Sequence, residues 1–258
     1  MDLRDRLLEM DWATAGIAYG LDTDGARYRD FRNFSYSYSK GLFGLDLAIS
    51  DYIDSAPEDV IFETVVDIVS TIVRGKPKYG YGKLMEYSTT DRFLDLKRPI
   101  YLERNGIISD TDTGRARSLC DSVERLYDAG LLRESDLDNT VLRWGSRFTY
   151  RLLGRCNSMF RIVFISPILD TCELSDRAVD SVVYHEYMHI RCRSVPFSGI
   201  HHGPDFKREL GKYPGLKEAD SEIERFVRAY RLKSGLRALN RIIIAGDTEN
   251  PWKNPMRS

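Results

Sequence analysis

Hydrophobic positions along the chain alternate between two periods, and the change of period marks the elements. Leu3, Leu7, Leu8 and Met10 follow a helical spacing over 3–10, and a loop with Gly16, Gly20 and Gly25 comes next. From Phe31 to Ser39 aromatic and serine residues alternate with period two, which predicts a strand, and Leu45–Ser50 predicts a second. Between Pro57 and Val73 the period returns to helical. Val60, Ile61, Val65, Ile68, Val69 and Ile72 share a face, with Pro57 in the first turn and Glu58 and Asp59 at the positive end of the dipole. Residues 75–81, with Gly75 and Gly80, break the pattern, and a further helix is expected over 83–96.

The second half repeats this alternation. Ala116, Leu119, Val123, Leu126 and Tyr127 predict a helix over 113–128, closed by Gly130. Asn139–Trp144 reads as a strand, and Arg161–Ser166 as a half-buried strand ended by Pro167. Ser175 is a suitable N-cap for a helix that meets no Pro or Gly before Pro196, and Pro204 opens another helix. Ile242–Ile244 suggests a last strand before fraying at Asn250–Pro251. The expected fold is α+β: a small mixed or mostly antiparallel sheet with helices packed on it. One internal likeness stands out. Ile49-Ser50-x-x-Ile53-Asp54-Ser55 resembles Ile165-Ser166-x-x-Leu169-Asp170-Thr171, each ahead of an apolar helix, which aligns Asp67 and Thr71 with His185 and His189.

At 258 residues, 42% hydrophobic and 30% charged, the chain has the balance of a globular protein with a sizeable core. The net charge of −1 conceals a basic end: from Arg225 to Ser258 eight Lys or Arg face only Asp247 and Glu249. That suits nucleic acid or acidic partners, and equally a solvated helix face. Cys120, Cys156, Cys172 and Cys192 form no C-x-x-C pair, as expected of reduced thiols rather than a disulfide framework. No signal peptide or membrane-length apolar run is visible, so a cytoplasmic location without a membrane partner is expected.

The chemistry is concentrated in Val182–Ile190. His185-Glu186-x-x-His189 puts two imidazoles on one helix face, where they can grip Zn²⁺, with Glu186 beside the metal as general base on a bound water. All four histidines, 185, 189, 201 and 202, fall within eighteen residues. The pattern H-E-x-x-H-x-x-G-x-x-H is excluded, because positions 192 and 195 are Cys and Val. His202 is the preferred third ligand and Glu209, on the following helix, the alternative. His201, Tyr213 and Arg208 are candidate oxyanion donors, and Arg147, Arg151, Arg155 and Arg161 form a basic series that suits substrate contact or an ordinary surface.

These motifs resemble a known family. Tyr184-His185-Glu186-Tyr187-Met188-His189, followed by His201-His202-Gly203-Pro204-Asp205-Phe206-Lys207, is similar to the SprT-like metallopeptidases, as are Trp144-Gly145-x-Arg147, Gly154-Arg155 and the strand Arg161–Ser166. The resemblance covers about residues 140–230. It implies a zincin-like, gluzincin-type fold, zinc held by His185, His189 and His202, catalysis by Glu186, and a protein or peptide substrate. The chain departs from many members in having no cysteine after Cys192, and hence no C-terminal zinc ribbon. The expected organisation is an N-terminal α+β region, 1–108, without visible chemistry, and a metallopeptidase region, 109–258. Two rivals differ in substrate or in kind: a metal-dependent hydrolase of phosphate esters or nucleic acid, and a zinc-stabilised binding module closed by a fourth ligand from Glu209, Glu218, Asp220 or Glu222.

Overall fold

The computed structural model describes residue 3 and residues 26–40, 45–106, 111–146, 148–193, 196–197 and 202–245. The helix expected over 3–10 lies outside these residues except for Leu3, which is buried in the N-terminal core. The glycine-containing loop up to Gly25 and the segment 246–258 also lie outside them. Among the described residues the fold is α+β, with eight helices and two separate three-stranded mixed sheets in place of the single sheet expected. No helix among them is long and apolar enough to cross a membrane.

The first sheet contains β1 (Arg27–Arg29), β2 (Tyr36–Lys40) and β3 (Leu45–Ser50) in the order β1-β3-β2. The central strand runs parallel to β1 and antiparallel to β2. A 3₁₀ turn, Asp51–Ile53, leads to α1 (Glu58–Arg74), whose buried face carries the valines and isoleucines that define its period. Gly75, at φ 75°, closes α1 by donating its N–H to Thr71 O. Asp67, fully buried in that helix, accepts the backbone N–H groups of Tyr79 and Tyr81, both at 2.5 Å, and so draws the returning chain against α1.

The single helix expected over 83–96 is two, α2 (Gly82–Tyr87) and α3 (Asp91–Arg104). Ser88, Thr89 and Thr90 interrupt it, their hydroxyls bonding back to the carbonyls of Met85, Glu86 and Tyr87. Thr90 then caps α3 by accepting from Phe93 N at 3.2 Å.

The second half begins later than its periodicity suggests. Residues 113–118 are a loop wrapped around the Asp170 carboxylate, which accepts the N–H groups of Arg115, Ala116 and Arg117. Helix α4 therefore spans only Leu119–Asp128. After the single turn α5 (Glu134–Leu137), strands β4 (Val141–Trp144), β5 (Gly154–Asn157) and β6 (Ile162–Ile165) form the second sheet, in the order β4-β6-β5. Here too the central strand is parallel to one neighbour and antiparallel to the other. Another 3₁₀ turn, Pro167–Leu169, leads to α6 (Asp176–Arg191), then α7 (Pro204–Leu210) and α8 (Leu216–Ala245). Ile242–Ile244 belong to α8, and the strand expected there is absent. On α8, Glu222 accepts from both the N–H and the hydroxyl of Ser175, tying α8 to the N-cap of α6.

Strand β6 is buried on both faces, not half-buried as its composition suggested. Alternate side chains point opposite ways, so Val163 and Ile165 join the core under α6 while Ile162 and Phe164 join the core of the N-terminal elements. Phe160, with no exposed surface, completes that seam at ring-centroid distances of 4.4 Å from Tyr101, 4.8 Å from Tyr52 and 5.5 Å from Phe93. A seam made of one strand's two faces couples both halves. Phe160→Ala should therefore cost about 3–5 kcal/mol of stability, with tryptophan fluorescence and circular dichroism reporting one shared urea transition. Two separate transitions in the wild-type protein would show that the halves unfold independently.

Candidate metal centre

Helix α6 is built to hold its two histidines still. Ser175 caps it by accepting from Ala178 N at 3.2 Å, and Arg125 grips Asp180 with two hydrogen bonds of 2.8 Å. Val179, Val183 and Met188 are buried in the core that the helix shares with the second sheet. One helical turn apart, the His185 and His189 rings lie 5.2 Å centre to centre. The chain then leaves α6 and returns with His202, whose ring is 5.2 Å from His185 and 4.9 Å from His189.

The Nε2 atoms of His189 and His202 are 3.2 Å apart, and each of the three rings offers a nitrogen within 4.8 Å of the others. Tetrahedral zinc with ligand distances near 2.0–2.1 Å requires nitrogens about 3.3 Å apart, so the donor set fits such an ion with small adjustments. Phe206, projecting from the first turn of α7, packs 5.0, 4.5 and 4.6 Å from the rings of His185, His189 and His202 and backs all three. Pro204 at the head of α7 fixes the direction from which Phe206 enters.

Glu209, the alternative third ligand, is elsewhere. It is buried, and its carboxylate bonds Arg191 at 3.0 Å and Lys212 at 2.7 Å. Lys212 and Arg191 together hold its pKa below the usual glutamate value. Among the described residues no carboxylate or thiol joins the three histidines, so Glu218, Asp220, Glu222 and Cys192 supply no fourth ligand. Of the oxyanion candidates, Tyr213 donates its hydroxyl to Arg177 O at 2.7 Å, and Arg208 pairs with Asp205 on the surface. His201 lies outside the described residues.

Glu186 is only 6% exposed and points across to β5. Gly154 makes room for it: a Cβ at that position would meet Glu186 Oε1 at 2.4 Å. Burial pushes the Glu186 carboxyl up to about 8. Burial, with His202 nearby, pushes His185 down to about 4, which keeps it in the neutral form that binds metal.

These groups open into a cavity of about 580 Å³, large enough for several peptide atoms on either side of a bond. Its walls include the β5 residues Arg155, Cys156 and Asn157, and also Asn33, Phe34 and Phe197. A second cavity of about 460 Å³ shares Leu152, Gly154 and Arg155 with it and continues along β5. That strand is an edge of the second sheet, as is β4, and among the described residues no further strand pairs with it. The strand Arg161–Ser166 lies between the two. Ser166 N donates to Leu153 O at 2.8 Å, so by antiparallel alternation the N–H and C=O groups of Gly154 and Cys156 face outward from the sheet.

The N-terminal half thus supplies a wall of the cavity, although its sequence shows no chemistry. Phe197, at φ 62°, stacks on Phe34 at 5.4 Å and meets Tyr36 and Tyr81 edge-on at 5.0 and 5.4 Å. Arg193 donates to Met85 O and Ser88 Oγ at 3.0 and 2.8 Å. The chain between the second and third histidines is therefore pinned to the N-terminal elements. The aromatic alternation around Phe34 was visible in the sequence, but nothing in it indicated which surface those rings would face.

No family model, no curated protein and no solved structure matches the chain.

The two shifted groups act on metal-free stability with opposite signs. Glu186, raised from 4.5 to about 8, lets the native state hold a proton that the unfolded state has lost, so its contribution is complete below 4.5 and declines through 8. His185, lowered from 6.5 to about 4, contributes stability that is present above 6.5 and lost as the pH falls towards 4. Above 6.5 only Glu186 acts. Chelator-treated protein should accordingly lose urea stability between pH 6.5 and 8, and Glu186→Gln should flatten the profile over that interval. An unchanged slope in the variant would place the titrating group elsewhere.

Proposed function

We propose that this chain is a zinc-dependent peptidase of the SprT-like kind, in which His185, His189 and His202 hold the metal and Glu186 serves as general base. The observation that carries this reading is the seating of the Glu186 carboxylate against Gly154, beside the three imidazoles, in a cavity lined by an edge strand of the second sheet. A module using zinc only as a structural staple would surround the ion with four ligands. Among the described residues three are gathered, beside open space.

Bound zinc supplies Lewis acidity, which makes water acidic near neutral pH and polarises a carbonyl. The chain's own groups do the rest. The outward amides of Gly154 and Cys156 pair with an extended peptide laid along β5 and set its carbonyl beside the histidines. Glu186, its ionised form favoured by a dication held by the histidines, takes a proton from the attacking water and passes it to the departing amine. Its burial keeps bulk water from competing for that proton, while Phe206 keeps the imidazoles in place.

The test combines zinc content with casein hydrolysis. Wild-type protein should carry about one zinc per chain and cleave casein. Glu186→Gln should retain the metal and lose activity by about 10²–10⁴-fold, while His202→Ala should lose both. Glu209→Ala should still bind zinc, though more weakly, and lose stability, because no ligand is removed but Arg191 is left half-paired and α7 less firmly placed. Gly154→Ala should bind zinc but hydrolyse poorly, since its methyl displaces the Glu186 carboxylate. Zinc held without any hydrolysis would favour the binding module.

A further inference from the structure

Several arginines in this fold meet an acid or are spent on backbone carbonyls. Arg104 takes Asp51, Arg125 takes Asp180 and Arg191 takes Asp136 and Glu209. Arg161, within the same basic series, is consumed by the carbonyls of Ser135 and Asp136. Arg155 differs. It lines both cavities, and among the described residues no carboxylate lies within ion-pair distance of it. Its Nη2 donates instead to two neutral oxygens, Tyr101 Oη at 3.3 Å and Asn33 Oδ1 at 3.4 Å.

Those partners orient the guanidinium without neutralising it. Tyr101 has no exposed surface and stacks on Phe160 at 4.4 Å, so its hydroxyl is a fixed post. Asn33 comes from the loop ahead of β2 and lines the same cavity. With Nη2 held from that side, the N–H groups of Nε and Nη1 remain to donate singly to an oxygen of a carboxylate, and the charge of the guanidinium adds to each such bond. Among the described residues the ionisable side chains around the histidine cavity are three histidines, Glu186, Cys156 and Arg155, so of these only Glu186 can offset a cation there.

We propose that Arg155 is a specificity-determining residue that anchors a carboxylate of the bound peptide, either an acidic side chain near the cleaved bond or the peptide's own carboxy terminus. This rests on the peptidase reading for its choice of a peptide as ligand. The N-terminal half then has a defined part in recognition, because Tyr101 and Asn33 set the anchor. The neighbouring amides of β5 bind any extended chain, while Arg155 distinguishes among chains.

The experiment measures fluorescence anisotropy of labelled, N-acetylated octapeptides on zinc-loaded Glu186→Gln protein, which binds without cutting. One series moves a single Glu along a neutral, amidated sequence, with Gln controls at each position. A second compares free-acid and amidated ends of the neutral peptide. At least one carboxylate-bearing peptide should bind about tenfold more tightly than its neutral counterpart, a preference lost on adding Arg155→Gln and largely kept with Arg155→Lys. Preference in the first series assigns an acidic side chain, and in the second the carboxy terminus. Tyr101→Phe, which removes the post and leaves the stacked ring, should weaken the preference with zinc content unchanged, so the inference stays testable even if Arg155→Gln folds poorly. Equal binding of acidic and neutral peptides, or a preference that survives Arg155→Gln, would overturn it. Because binding is read separately from cleavage, wild-type protein that cuts no peptide yet shows the Arg155-dependent preference would refute the peptidase reading and leave the anchor standing.

Discussion

The histidine cluster depends on a buried charge network at the far end of α6. Arg191 lies between the Asp136 carboxylate on α5 and the Glu209 carboxylate on α7, and also donates to Leu131 O at 2.8 Å. Burying such a network is costly in desolvation, and replacing it with apolar groups often stabilises a protein. What it provides here is position. It fixes α7 against the end of α6, and a second tie from Tyr184 Oη to Glu209 O at 2.9 Å fixes the same turn. Since α7 starts at Pro204, two residues after His202, its placement brings the third imidazole to the other two. Glu209 therefore serves the site by setting its geometry, although its spacing from His189 made it look like a ligand.

A second constraint comes from the opposite direction. The chain between His189 and His202 is held by Arg193 on α2 and by Phe197 in the ring cluster around Phe34. One end of the returning segment is thus anchored to N-terminal elements and the other to α7. Arg155 adds a third link, from β5 to Tyr101. The site is assembled from residues that a division near position 108 would separate, and the shared core around Phe160 explains why both parts keep their relative placement.

Much of this was legible in the sequence because it is local. The H-E-x-x-H spacing, the Ser175 cap, Pro204 at a helix start and the periodic valines of α1 follow from 3.6-residue geometry and cap chemistry. What was not legible depends on distant partners. The periodicity of 113–128 overran because Asp170, more than forty residues away, captures the amides of 115–117. Strand β6 looked half-buried because a single sequence cannot say that a second core covers its other face. Glu209 looked like a possible ligand because its partner Arg191 lies on another helix. Gly154 carries no sign that a carboxylate needs its missing Cβ.

The internal likeness noted in the sequence extends to topology. Both sheets place the last strand at the centre, parallel to the first and antiparallel to the second, and both follow it with a 3₁₀ turn and a long helix. Asp67 and His185 each lie nine residues past the start of their helices. Each also stands where the chain returns against the helix, and there the two units use different chemistry. In the first, one carboxylate accepts two backbone N–H groups and completes the tie by itself. In the second, three imidazole nitrogens converge with no carboxylate among them to balance a shared proton or cation. A carboxylate with two amide donors is satisfied and inert, whereas the second unit gathers three imidazoles beside open space. The same position in the same framework thus ties the returning chain in one unit and carries part of a histidine cluster in the other.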